Sequence, residues 1–272
     1  MIRNEPRNSP SWLWRLTRIL DPVNPAYAAA AIFAVVILLV ALVLWWKPAP
    51  LLPDFSNIED VAARKEAFFG YLAPLVESEN QRIREQRKRL LELADSVADG
   101  QQLGRGERRW LQKLSRQYEL DWNADDIDAM LEAFKKRVDV VPVALALVQA
   151  ATESAWGQSR FAVEGNNLFG QWCYERGCGL VPLRRSAGQA HEVAAFGSVQ
   201  ESVSRYINNL NTHSAYQPLR EIRFELRRAG QPPTAMALAE GLVRYSEKRE
   251  TYVDEVKQVI RLNRPIIEAI LE

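Results

Sequence analysis

Glu153 stands near the C-terminal end of an almost wholly apolar stretch, Val141 to Trp156, which reads VPVALALVQAATESAW. A carboxylate withdrawn from water is costly unless it is paired or protonated. The negative end of a helix disfavours the anion further. Both effects raise the pKa, as a general acid working near neutrality requires. The residue is equally well explained as a Glu satisfied by backbone donors or an arginine, or as one exposed at a fraying end. Just downstream comes Gly165-Asn166-Asn167-Leu168-Phe169-Gly170-Gln171-Trp172. Its side-chain amides suit hydroxyl and acetamido groups, and its aromatic faces suit sugar rings. A tight turn that buries a Phe and a Trp accounts for the same residues.

Other chemistries lack their residues. There is no Gly-x-Ser-x-Gly elbow, phosphate-binding glycine loop or zinc-protease histidine pair. His191 and His213 show no metal-ligand spacing with Cys173 and Cys178, so neither a metal nor another cofactor is expected. The 35 Lys and Arg against 34 Asp and Glu leave no global field that would point to nucleic acid.

The elements that must position Glu153 are mostly helical. Pro142 suits the first turn of the central helix. Helical periodicity covers about 58–98, with Phe68, Phe69, Leu72, Leu75 and Val76 as an apolar stripe, and returns at 107–118 and 125–137, where Asn123 reads as an N-cap. The charged segment 80–89 reads as mostly solvated. Between Gly165 and Phe196 the texture changes to loops with a small β-hairpin, strands near Gly179–Leu183 and His191–Phe196. Helices follow at 199–210, 218–229, 234–242 and 247–263.

Residues 26–46 carry no charge and are long enough to cross a hydrocarbon core of about 30 Å. Tyr27 and Trp45-Trp46 match an interfacial aromatic belt. The run is longer than a signal-peptide core and ends in Trp-Trp-Lys-Pro, without a small-residue cleavage site. Arg3, Arg7, Arg15 and Arg18 precede it, which puts the N-terminus in the cytoplasm and all that follows Lys47 outside. The expectation is a single-pass protein of the cytoplasmic (inner) membrane with its large domain periplasmic. In that compartment Cys173 and Cys178 are expected to bridge rather than remain free thiols.

Ala-Thr-Glu-Ser-Ala-Trp-Gly-Gln-Ser, then Gly-Asn-Asn-Leu-Phe-Gly, then a Tyr-rich helical tail resembles the Bax-type branch of the bacterial glucosaminidases, glycoside hydrolase family 73. The resemblance runs from about residue 120 to 259 and includes the Trp-Cys…Gly-Cys-Gly-Leu-Val-Pro stretch. It implies a lysozyme-like α+β fold, mostly helical, and hydrolysis of the β-1,4 bond after N-acetylglucosamine in peptidoglycan, with no cofactor. Glu153 becomes the general acid. Trp156, Asn166, Asn167, Phe169, Tyr206, Tyr216 and Tyr245 become cleft-lining residues. Tyr245…Tyr252 resembles a Tyr-Ala-Thr-Asp-x-x-Tyr element in which Ser-Glu-Lys replaces Ala-Thr-Asp. A second carboxylate is implied on the hairpin, which selects Glu192 with Glu175 in reserve. Glu201 has another explanation, because Ser198-Val-Gln-Glu201 spells a capping box.

The expected organisation is therefore a cytoplasmic segment 1–25, a transmembrane helix 26–46, a stalk and helical linker 47–105, and a catalytic domain 106–272 with a small β-hairpin. The expected partners are peptidoglycan and, through one helix, the lipid bilayer. The alternatives are a lytic transglycosylase and a wall-binding protein without activity.

Overall fold

The computed structural model describes residues 30–38, 40, 52–183 and 191–272. The chain divides into two compact units, Met1–Pro48 and Ala49–Glu272. In the first, residues 30–38 and 40 are helical and exposed. The rest of the expected span 26–46 and the whole of segment 1–25 lie outside the described residues. Among the described residues, no helix is long and apolar enough to cross a membrane.

The second unit is mostly helical α+β. Helix α1 (Val61–Ala98) starts where the Asp60 side chain accepts the Ala63 N–H at 2.7 Å. Helices α2 (Arg105–Gln117) and α3 (Ile127–Arg137) follow, then α4 (Val143–Ser154) and the short α5 (Arg160–Gly165). After the strands come α6 (Val199–Thr212), α7 (Gln217–Arg228), α8 (Ala235–Ala239) and α9 (Glu250–Leu271). The N-cap of α3 is Asp126, whose carboxylate accepts the Ala129 N–H at 3.0 Å. The expected cap, Asn123, instead closes a turn onto the Asp125 N–H, a local bond that competes with helix formation.

One core surrounds α4, whose Leu145, Ala146, Leu147, Val148 and Ala150 are completely buried. Helix α1 supplies Phe68, Phe69, Leu72, Val76 and Ile83 to that core, then Leu90 and Leu93 to a second cluster built on α2 and α3. The helix expected to belong to a linker ahead of residue 106 is thus a wall of the folded unit. Its stripe is legible in the sequence, but the partner that covers the stripe is not.

The three short strands β1 (Trp172–Cys173), β2 (Gly179–Leu180) and β3 (Glu192–Ala194) form one antiparallel sheet with β3 in the middle. The expected hairpin corresponds to β2 and β3, with shorter strands; most of its connection, 184–190, lies outside the described residues. Strand β1 has too few residues to show a period. Gly179 is required here, because a β-carbon would lie 2.0 Å from the Val193 carbonyl oxygen.

Between α3 and α4, Asp139 is a buried hub. Arg227 binds its carboxylate through two bonds of 3.0 Å, with Arg87 at 3.5 Å and Arg223 at 4.0 Å. Arg87 comes from the segment expected to be solvated. It is largely buried, and it also donates to the carbonyls of Lys135 and Val138 at the end of α3. This ties α1, α3 and α7 to the entry of the central helix.

Candidate active site

The central helix stops abruptly one residue after Glu153. Ser154 Oγ donates back to the Ala150 carbonyl at 2.6 Å and accepts the Gly157 N–H at 2.8 Å. Ala155, Trp156 and Gly157 are all left-handed, at φ 51°, 59° and 78°. For Ala155 and Trp156 that conformation costs about 1–2 kcal/mol each, so packing must hold it. Phe69 and Phe68 grip the Trp156 ring at centroid distances of 5.1 and 5.9 Å, with Lys65 Nζ 5.1 Å from its centroid. Gly157 has no substitute, since a β-carbon would lie 2.7 Å from a ring carbon of Phe55. Trp156, expected to line a cleft, is half-buried against α1 and anchors the turn that ends the acid's helix.

Glu153 is half-buried, and its Oε1 accepts a hydrogen bond from Tyr252 Oη at 2.9 Å. The loop from α5 to β1 passes beside its other oxygen: a β-carbon on Gly170 would lie 3.6 Å from Oε2. Burial raises the pKa of this carboxyl above the ordinary value, against the opposing effects of the Tyr252 hydrogen bond and the Lys248 charge. The neutral, proton-donating form therefore persists to higher pH than for a solvated Glu.

Behind Tyr252 lies an aromatic stack. Its ring is parallel to that of Tyr245 at 5.2 Å, and Tyr216 lies 5.8 Å beyond Tyr245. Tyr245 Oη donates to the Phe169 carbonyl at 3.1 Å, which ties the loop to the segment that precedes α9. Phe169 in turn stacks on Tyr206 at 3.9 Å. Phe169 and Tyr206 are 2% and 1% exposed, so their rings pack on each other and present no open face to a ligand. Burial pushes the phenol of Tyr216 up to about 12 and raises those of Tyr206, Tyr245 and Tyr252 as well, which keeps all four neutral.

Both asparagines are tied to the backbone, and Asn167 completely so. Asn166, left-handed at φ 51°, caps α5 and donates to the Phe196 carbonyl at 2.9 Å. Asn167 is 1% exposed; its Nδ2 donates to the carbonyls of Gln171 and Ala194, and its Oδ1 accepts the N–H groups of Phe169 and Gln171. Four bonds exhaust a carboxamide, leaving nothing for a sugar. Asn167→Ala strips partners from two N–H groups and two carbonyls. It is expected to cost about 3 kcal/mol in a denaturant titration, whereas a residue that only contacted substrate would leave stability unchanged.

Glu192 is buried in β3 and accepts the N–H groups of Gly177 at 3.1 Å and Gly179 at 2.9 Å. It braces the loop that Cys173 and Cys178 close with a disulfide, their Cα atoms 6.2 Å apart. The Glu192 carboxylate and both sulfurs lie within 4.8 Å of one another, but bonded sulfurs offer no thiolate to a metal. Glu175 is exposed on the same loop. Half of the expected capping box forms: Ser198 Oγ accepts the Glu201 N–H at 3.2 Å, but the Glu201 carboxylate reaches past the cap to the Gly197 N–H at 3.0 Å instead of the Ser198 N–H.

Two residues that sequence reasoning did not select complete the site. Tyr252 is the direct donor to Glu153. Gln149 is completely buried, with its Nε2 donating to Tyr252 Oη at 3.1 Å and its Oε1 accepting from Tyr206 Oη at 2.6 Å. A signal for Gln149 existed. It is a lone polar residue in an apolar run, one helical turn before Glu153 and therefore on the same face.

The second unit is thus a mostly helical α+β fold in which burial raises the pKa of one carboxyl, Glu153, at the end of the buried central helix. The chain belongs to the glucosaminidase family: the family model described as mannosyl-glycoprotein endo-beta-N-acetylglucosaminidase matches residues 128–264. Protein bax of Escherichia coli (strain K12) is 34% identical over 218 residues, which cover 80% of this chain and 76% of that protein. The Bax-type resemblance read from the motifs thus holds along most of the chain. The chain is also similar to a solved type VI secretion system effector-immunity complex from Pseudomonas protegens. There the identity is 20%, over 59% of this chain and 93% of that one, with a TM-score of 0.31, too loose a match for any argument about fold.

Proposed function

We propose that the protein is a lysozyme-like endo-β-N-acetylglucosaminidase that hydrolyses the β-1,4 bond after N-acetylglucosamine in peptidoglycan. The observation that carries this reading is Glu153, its pKa raised by burial at the end of the central helix and its Oε1 hydrogen-bonded by Tyr252. In the reaction Glu153 gives its proton to the glycosidic oxygen as the bond to the sugar C1 breaks. Membership of the glucosaminidase family supports the bond and the sugar.

The engagement of Glu192 by two backbone N–H groups favours a route in which no second carboxylate attacks. The acetamido oxygen of the substrate would then close on C1, and water would open the resulting ring. A lytic transglycosylase also uses a single acid. Mass spectrometry of borohydride-reduced wall digests separates the two, with reduced N-acetylglucosamine at new chain ends the expected result. Anhydro-muramic ends would reject hydrolysis, and an undigested wall would reject both.

The uncharged stretch 26–46, with arginines before it, supports a single-pass anchor in the inner membrane that leaves the enzyme on the wall side. Removing residues 1–48 leaves the compact unit Ala49–Glu272. That fragment is expected to be soluble without detergent and to digest isolated wall at the full-length rate. A drop of more than about tenfold in rate, roughly 1.4 kcal/mol of activation free energy, would mean that the anchor does more than localise.

A further inference from the structure

We infer that Gln149 and Tyr206 are positioning residues that decide which oxygen of Glu153 carries the acid proton. The inference rests on the role of Glu153 as the acid. Four buried or half-buried groups from three helices form one file: Tyr206 on α6, Gln149 and Glu153 on α4, and Tyr252 on α9. The separations run 2.6 Å from Tyr206 Oη to Gln149 Oε1, 3.1 Å from Gln149 Nε2 to Tyr252 Oη, and 2.9 Å from Tyr252 Oη to Glu153 Oε1.

The lengths fix the direction of the file. A separation of 2.6 Å belongs to an O–H···O bond and one of 3.1 Å to an N–H···O bond, so the amide turns its oxygen to Tyr206 and its nitrogen to Tyr252. Tyr206 has one proton and spends it on Gln149. The amide N–H then occupies the Tyr252 oxygen, and the Tyr252 proton turns to Glu153 Oε1. An oxygen already receiving a proton is the acceptor end of the carboxyl. The proton of neutral Glu153 therefore sits on Oε2, the oxygen beside the Gly170 backbone.

The opposite direction is chemically coherent and unproductive. With the amide reversed, Tyr252 would donate to Gln149 and accept from Glu153, and the acid proton would point into the protein on Oε1. A single hydroxyl, that of Tyr206, selects between the two. The titratable groups facing Glu153 are the phenols of Tyr252, Tyr245, Tyr206 and Tyr216 and the ammonium of Lys248. Burial keeps the phenols neutral, so the direction of the file does not change over the working pH range.

The test reads Glu153 without substrate. Infrared spectra of the full-length protein give the protonated-carboxyl C=O band that is lost in Glu153→Gln. Its pH midpoint is then compared in wild type, Tyr206→Phe, Tyr252→Phe and the double variant. Loss of the donor to Oε1 disfavours the anion, so each single variant is expected to raise the midpoint by roughly half a pH unit or more. Because Tyr206 acts only through Tyr252, the double variant should titrate like Tyr252→Phe alone. A Tyr206→Phe midpoint equal to wild type would overturn the inference, as would a shift that persists undiminished in the Tyr252→Phe background. If Tyr206→Phe does not fold, Tyr252→Phe alone decides: a wild-type midpoint there also overturns it. A wild type that digests no wall while the midpoints follow this pattern would reject the glucosaminidase reading and support the assigned direction.

Discussion

Purified Glu153→Gln is expected to leave wall suspensions turbid under conditions in which wild type clears them. Positioned acid catalysis is worth roughly two to four orders of magnitude in rate, and an amide has no acid proton to give. The fold should survive, because Gln can still accept the Tyr252 bond through its oxygen. The sign of the stability change can also be worked out. Burial raises the pKa of Glu153 above its unfolded value, so its contribution to stability is present at low pH and lost as pH rises through the folded pKa. At neutral pH the neutral isostere escapes that loss, and its melting temperature should equal or exceed that of wild type. Wild-type activity should fall on the alkaline side, at a pH above the usual carboxylate range. Clearing by Glu153→Gln at the wild-type rate would sink the assignment.

Asp139→Ala is expected to damage the molecule far from the chemistry, costing about 3–5 kcal/mol in equilibrium unfolding. The substitution leaves Arg223, 1% exposed in its side chain, without the anion it faces, and removes the two bonds made by Arg227. Burial alone would raise the Asp139 pKa, but Arg223, Arg227 and Arg87 together hold it below the ordinary value. A depressed folded pKa contributes stability that is complete above the unfolded value, about 3.9, and is lost as pH falls through the folded one. Wild type should therefore lose stability in acid more steeply than Asp139→Ala, and the two unfolding curves should converge at low pH. A variant within about 0.5 kcal/mol of wild type at neutral pH would refute the hub, since that is the scatter of ordinary surface changes.

What the sequence disclosed depended on the range of the physics involved. Glu153 was readable because its oddity is local, a carboxyl in an apolar helix followed by a recognisable loop. The cap made by Ser198 on the Glu201 N–H was readable for the same reason. The cleft-lining expectation for Asn167, Phe169 and Tyr206 fared differently, because amide and aromatic residues serve a sugar and a buried turn equally well. Only the partners distinguish the two, and these lie up to 76 residues away, as the Phe169 carbonyl and Tyr245 show. Gln149 carried a signal in its own helix, but the use made of it depends on Tyr206 and Tyr252, 57 and 103 residues distant. The membership of α1 in the core was hidden in the same way, since a stripe announces that it must be covered without naming its cover.

Helix α9 packs on both α1 and α4 and brings Tyr252 to Glu153. Translation delivers α1 and α4 well before α9. A nascent chain halted before residue 250 would lack α9, and its Glu153 would lack the hydroxyl that orients it. The hydrogen bond to Glu153 therefore forms only once α9 has been made and has docked on α4.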